Sequence, residues 1–106
     1  MGWYAYLKDD RGHEEGEWNY TSNCNQMAQT TLPEGSDHWL DLLNDSDGPT
    51  GAKLLDGIIR AILSDPQRFE AMNPDNGWGD RQSFLRVLTE MRNSVPEWPT
   101  VWKVSR

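Results

Sequence analysis

Apolar positions recur at helical spacing through residues 50–64. Leu54, Leu55, Ile58, Ile59, Ile62 and Leu63 form a wide stripe, with Lys53, Asp56 and Arg60 on the polar side. Asp56 and Arg60 stand four apart, a favourable pair on one helix face. A second stripe, Phe84, Leu85, Leu88 and Met91, predicts a helix over 81–93, with Arg86 and Glu90 able to pair. Asp80 is placed to cap it and Pro96 ends it. Shorter signals predict further helical pieces. Trp39, Leu40 and Leu43 face inward over 36–43, with His38 on the surface. Asp65-Pro66 restarts a helix that runs to about Met72, with Phe69 and Met72 packed inward. Ser22, Asn23 or Asn25 is expected to cap a short helix over 26–31.

The two ends of the chain alternate instead. Trp3, Ala5 and Leu7 on one face, with Tyr4, Tyr6 and Lys8 on the other, predict a strand over 3–8. A charged, glycine-bounded turn over 9–16 leads to a second strand over 17–22. Residues 100–105 alternate again, Trp102 and Val104 against Val101 and Lys103. A terminal strand needs a sheet to hold it. The hairpin and the last strand are therefore expected to form one three-stranded antiparallel sheet, the minimum for independent stability. The predicted fold is α+β in the order ββ-α-α-α-α-β, three to four helices packed on that sheet, in a single domain spanning 1–106.

Only 36% of the residues are hydrophobic, so the six tryptophans must supply the bulk of the core. Each aromatic can bury about 150–250 Å². Cys24 is the single cysteine and can form no intrachain disulfide. No run approaches the roughly 18 apolar residues that span a bilayer, and the first residues lack a secretory pattern. A cytoplasmic protein that makes no membrane contact is the expectation.

The net charge of −7 is uneven: residues 1–56 carry 11 acids against 3 bases, and 57–106 carry 6 against 7. Direct nucleic-acid binding needs a basic footprint and is not expected. The ordinary role of such charge is solvation.

Chemistry-bearing patterns are few. His13 with Glu14 and Glu15 would be three neighbours in one loop, which do not converge on a metal. Gly51-Ala52-Lys53 lacks the Gly-x4-Gly-Lys-Ser/Thr spacing of a phosphate cradle. Cys24 has no base placed beside it and is expected to be inert and buried. No catalytic residue, metal or cofactor is assigned.

Two polar stretches remain. Residues 73–80, Asn-Pro-Asp-Asn-Gly-Trp-Gly-Asp, lie between helices and combine a helix-stopping Asn73-Pro74 with a turn at Asn76-Gly77. Residues 19–25 are rich in short polar side chains, and Asn19, Thr21 and Asn23 would align if the strand continued. With the Val-Ser ending at 104–105, these features resemble a group of small uncharacterised proteins of actinobacteria and their phages. Those proteins share an Asn-Pro-x-Asn-Gly-Trp-Gly-Asp loop before a helix and an Asn-Tyr-Thr-Ser-Asn-like stretch near the N-terminus. The resemblance implies one intact domain, carries over no activity, and by analogy favours a phage-type inhibitor or adaptor of a host protein.

The expected function is a non-enzymatic module that binds another protein, with Trp78 and Trp98 as loop anchors. For Trp78, folding back into the sheet–helix seam is the plainer expectation, because its flanking glycines permit close packing. For Trp98, between Glu97 and Pro99, burial and display balance. An alternative is a small-ligand pocket in which Asn19, Thr21 and Asn23 meet Asn73, Asn76, Trp78 and Asp80, although capping and turning the backbone accounts for these residues more simply. A third is an acidic nucleic-acid mimic.

Overall fold

The computed structural model describes all 106 residues. The chain runs β1 (Gly2–Asp9), β2 (Glu14–Thr21), a 3₁₀ turn (Ser22–Cys24), α1 (Asn25–Gln29), α2 (Trp39–Leu43), α3 (Gly48–Ser64), α4 (Pro66–Glu70), α5 (Arg81–Asn93) and β3 (Thr100–Ser105). The strands form one antiparallel sheet in the order β2-β1-β3. The fold is α+β, with five helices where three to four were expected, because α1, α2 and α4 are separate pieces of five residues each.

Alternation decides which sheet face is covered. Trp3, Ala5, Leu7 and Trp102 are buried under the helices, and Trp18 and Tyr20 pack beside them. On the other face Glu17, Asn19, Lys8 and Ser105 are exposed, while Tyr4 and Tyr6 lie half-buried against each other with ring centroids 5.7 Å apart.

The second strand begins at Glu14, not at residue 17. Tyr6 pairs with Glu17 and Leu7 with Glu15, which leaves Gly16 as the extra residue of a bulge. Its φ of 67° suits glycine, so Gly16 bends the strand instead of ending it.

Helix boundaries follow their caps. The short helix expected over 26–31 is α1, and none of Ser22, Asn23 or Asn25 caps it. Cys24 stands at its N-cap with no side-chain bond, while Thr21 caps the preceding 3₁₀ turn by accepting a bond from Asn23 N at 3.2 Å. The helix expected from residue 36 starts at Trp39, because Gln29 Oε1 takes the Trp39 amide at 2.8 Å and His38 Nδ1 takes that of Leu40 at 3.2 Å. Asp47 caps α3 through Thr50 N at 2.8 Å, so the helix starts before Thr50. Along α3, Leu55, Ile58, Ile59 and Ile62 are buried, whereas Leu63 is 55% exposed and falls off the stripe. Asp56 binds Arg60 at 2.7 Å and also Arg92 at 2.9 Å, which ties α3 to α5. Arg86 and Glu90 stay apart.

Tryptophans organise the core. Trp3 meets Trp39 edge-on at 5.5 Å, and Trp39 meets Phe84 edge-on at 5.9 Å, geometries that ring quadrupoles favour. Trp102 lies against the start of α3. Its indole N–H donates to the Gly48 carbonyl at 3.2 Å, and a Cβ at Gly51 would overlap its ring. The helix can approach β3 there only because that position is glycine.

Candidate functional site

Residues 73–80 are docked onto the end of the hairpin by their backbone. Gly79 has φ of 90°, and a Cβ there would strike Thr21 Cγ2 at 2.7 Å and the Tyr20 hydroxyl at 2.9 Å. The same hydroxyl lies 2.6 Å from Ser83 Oγ and accepts the Asp80 amide at 3.2 Å. Asn23 Nδ2 donates to the Trp78 carbonyl at 3.3 Å, and Asn76 Oδ1 accepts the Trp78 amide at 2.9 Å. With the backbone held from several sides, the indole is directed away from the core. Trp78 is 70% exposed, so the expected packing into the sheet–helix seam does not occur.

The indole stands over a cleft of about 690 Å³ at the end of the sheet where β1 begins and β3 finishes. Tyr4, Asn19, Thr21, Asn23, Asn76, Trp78 and Arg106 line it, together with the backbone ends around Met1, Gly2 and Ser105. The structure thus brings five of the predicted residues to one site: Asn19, Thr21, Asn23, Asn76 and Trp78. It leaves three outside. Asn73 closes a turn, with Oδ1 on the Arg81 amide at 2.8 Å and Nδ2 on Glu70 at 2.9 Å. Asp80 forms a reciprocal cap with Ser83, taking its amide at 2.7 Å.

Trp98 sits at the opposite end of the sheet. Its indole N–H donates to Glu15 Oε2 at 2.6 Å, beside a smaller hollow lined by Asp9, Asp10 and Arg11. It is 54% exposed. The seven steps along the eight residues of β1, at about 3.4 Å each, set the two ends of the sheet roughly 24 Å apart, with Trp78 at the Gly2 end and Trp98 at the Asp9 end. The two indoles cannot form one hot-spot cluster.

The titratable groups near the cleft are set for structure. The amide of Ser83 holds the Asp80 carboxyl below the ordinary aspartate value. Burial pushes the Cys24 thiol up, and the Tyr20 hydroxyl likewise. Cys24 therefore stays protonated near neutral pH, where only a thiolate would be nucleophilic. Tyr4 donates to Glu17 at 2.7 Å, and this bond raises its pKa to about 12. At the hairpin tip His13 faces Asp9 at 3.5 Å while Glu15 serves Trp98. No group of three or more His, Cys, Asp or Glu is arranged to hold a metal.

The chain matches no known family model, curated protein or solved structure. No helix is long and apolar enough to cross a membrane.

Tyr4, Tyr20 and Arg106 were missed as members of the site. The alternation that sets Trp18 inward also sets Tyr20 inward, and this was the available signal. Arg106 reaches the cleft only through the register that pairs Tyr4 with Ser105, which no local pattern announces.

Proposed function

We propose that this protein is a small non-enzymatic binding module, and that its Trp78 cleft receives part of another protein. The observation that carries this reading is an indole 70% exposed on a backbone pinned by Tyr20, Asn23 and Asn76. A rigid, displayed aromatic offers a partner large contact area with little ordering cost, the property of interface anchors. A protonated thiol and a capping carboxylate beside the cleft supply no nucleophile and no base, which supports binding over catalysis. An inhibitor or adaptor of a host protein is a role that such a module can fill.

The test is capture of partners from the native host's lysate at low salt and at about 0.5 M, where charge attraction is screened. The expected partner survives the higher salt and is lost on Trp78→Ala but kept on Trp98→Ala. A partner indifferent to Trp78→Ala sinks this reading.

A second reading has its own observation. The cleft volume of about 690 Å³ falls within the roughly 300–1,000 Å³ of small-molecule sites. A metabolite that binds there would raise the melting temperature by mass action. Mimicry of nucleic acid has less support. Asp41, Asp45 and Asp56 face Arg106, Lys103 and the pair Arg60 and Arg92, so the acidic half is partly neutralised by the other half.

A further inference from the structure

The two edges of the sheet are treated differently. Beyond β3 the segment 44–47 covers the edge: Asp45 N donates to Trp102 O and Trp102 N to Ser46 O, both at 2.8 Å, and Asn44 Oδ1 accepts from Val104 N at 2.9 Å. Beyond β2 no strand or loop makes such bonds. The bond from Ser22 N to Met1 O at 3.0 Å fixes which pairs in that ladder are hydrogen-bonded. Stepping along the register from it, Tyr20 and Trp18 bond to β1, while Asn19 and Glu17 turn their N–H and C=O groups outward. Both residues are exposed, and neither backbone has a partner outside the ladder. Thr21, next along, is half-covered where Gly79 approaches.

We propose that the open edge of β2 at Glu17–Asn19 takes an extended, basic segment of a partner protein as a fourth strand, ending against Trp78. This rests on the Trp78 cleft being the binding site and specifies what enters it. Asn19 belongs both to the open edge and to the cleft lining, so an added strand runs directly into the indole. Backbone pairing supplies the docking, and alternate side chains of the segment point onto the Tyr4 side of the sheet. Charge selects the occupant. β2 carries no basic residue. Glu14 stands across from Lys8 and Glu15 accepts from Trp98, which leaves Glu17 as the carboxylate within the open edge, on the Tyr4 side. A segment that sets a lysine or arginine beside Glu17 is therefore complementary. A second copy of this chain would bring the same glutamate to a shared edge, and like charges across a strand pair are destabilising.

The probe is a random-peptide display library panned against the full chain in low salt. The selected peptides are then synthesised and followed by amide hydrogen exchange. Expected are peptides that carry a basic residue among apolar ones and slow exchange at Glu17 and Asn19 on the order of tenfold or more. Methylating the peptide nitrogens that face the edge abolishes their binding. Glu17→Lys weakens them about fivefold, the scale of a cross-strand charge pair. Asn19→Pro removes an outward N–H that β1 does not use, and abolishes binding while far-UV dichroism is retained.

Failure to select any binder overturns the proposal. So does selection of peptides without basic residues, or of peptides that leave exchange at Glu17 and Asn19 unchanged. A dimer in sedimentation that Asn19→Pro dissolves assigns the edge to a second copy and overturns it as well. Binding lost on Trp78→Ala without protection at the edge refutes strand addition and keeps the cleft. Protection at the edge that ignores Trp78→Ala refutes the cleft as the site.

Discussion

Trp102 and Trp78 both sit close to glycine, and the difference between them separates two meanings of that neighbourhood. Gly48 and Gly51 are far from Trp102 in sequence and adjacent in space: one carbonyl takes its N–H, and the other position leaves room for its ring. Gly77 and Gly79 flank Trp78 in the chain, yet Gly77 has nothing near it and the space at Gly79 is filled by Tyr20, Thr21 and Cys24. A glycine beside an aromatic in sequence frees the backbone, and the backbone can spend that freedom on some other contact. Only a glycine across the packing interface makes room for the ring itself.

The comparison is sharpest if the two indoles are removed in turn. Trp102→Ala should destabilise the fold by about 3–5 kcal/mol, the range for buried aromatics, and urea titration will show it. Next in size is Gly51→Ala, expected to cost about 1–3 kcal/mol through overpacking against Trp102, even though alanine favours a helix. If Gly51→Ala proves neutral, the close approach of α3 to β3 does not depend on that glycine.

Asp80→Ala removes the cap that anchors the Trp78 loop and should cost about 0.5–2 kcal/mol. The pH dependence has a definite sign. The carboxyls of Asp80 and Asp47 are both held below the ordinary aspartate value by backbone amides, of Ser83 and Thr50. The stability they contribute is therefore complete above that ordinary value and is lost as pH falls through the depressed folded values. A urea midpoint followed against pH should drop on the acid side, and the drop should be shallower in Asp80→Asn.

Smaller effects complete the contrast. Gly57 lies on α3 in open space, so Gly57→Ala should stabilise by about 0.5–1 kcal/mol, opposite in sign to Gly51→Ala on the same helix. Trp78→Ala should leave stability within about 0.5 kcal/mol, as for exposed positions generally, while partner binding falls at least about tenfold, as for an interface anchor.

Much of the fold was legible because it is written in local period. The stripe through Leu55, Ile58 and Ile62, the alternation through Trp3, Ala5 and Leu7, and the cap at Asp80 each need only near neighbours. What escaped depends on partners distant in the chain. Gly16 looks like a turn residue until the pairing of Tyr6 with Glu17 makes it a bulge. Nothing near Trp39 announces that Gln29 takes its amide, and so the start of α2 was misplaced.

The site was half legible for the same reason. Asn19 and Thr21 align on strand parity, but the strand ends at Thr21 and Asn23 reaches the site from the 3₁₀ turn. Their meeting with Asn76 and Trp78 follows from the docking at Gly79, which no local pattern states. Trp98 and Trp78 were both expected as loop anchors with no separation assigned to them, because composition carries no distance, and the hairpin puts the two at opposite ends.

The segment 44–47 laid along β3 has a consequence for valency. A sheet open on both sides is a link: it can receive a strand on one edge and offer the other to the next molecule, and such chains grow without limit. Here one side is already closed by the protein's own backbone. Whatever pairs with β2 finds no second edge to pass the pairing on to, so the molecule ends a sheet and cannot extend one.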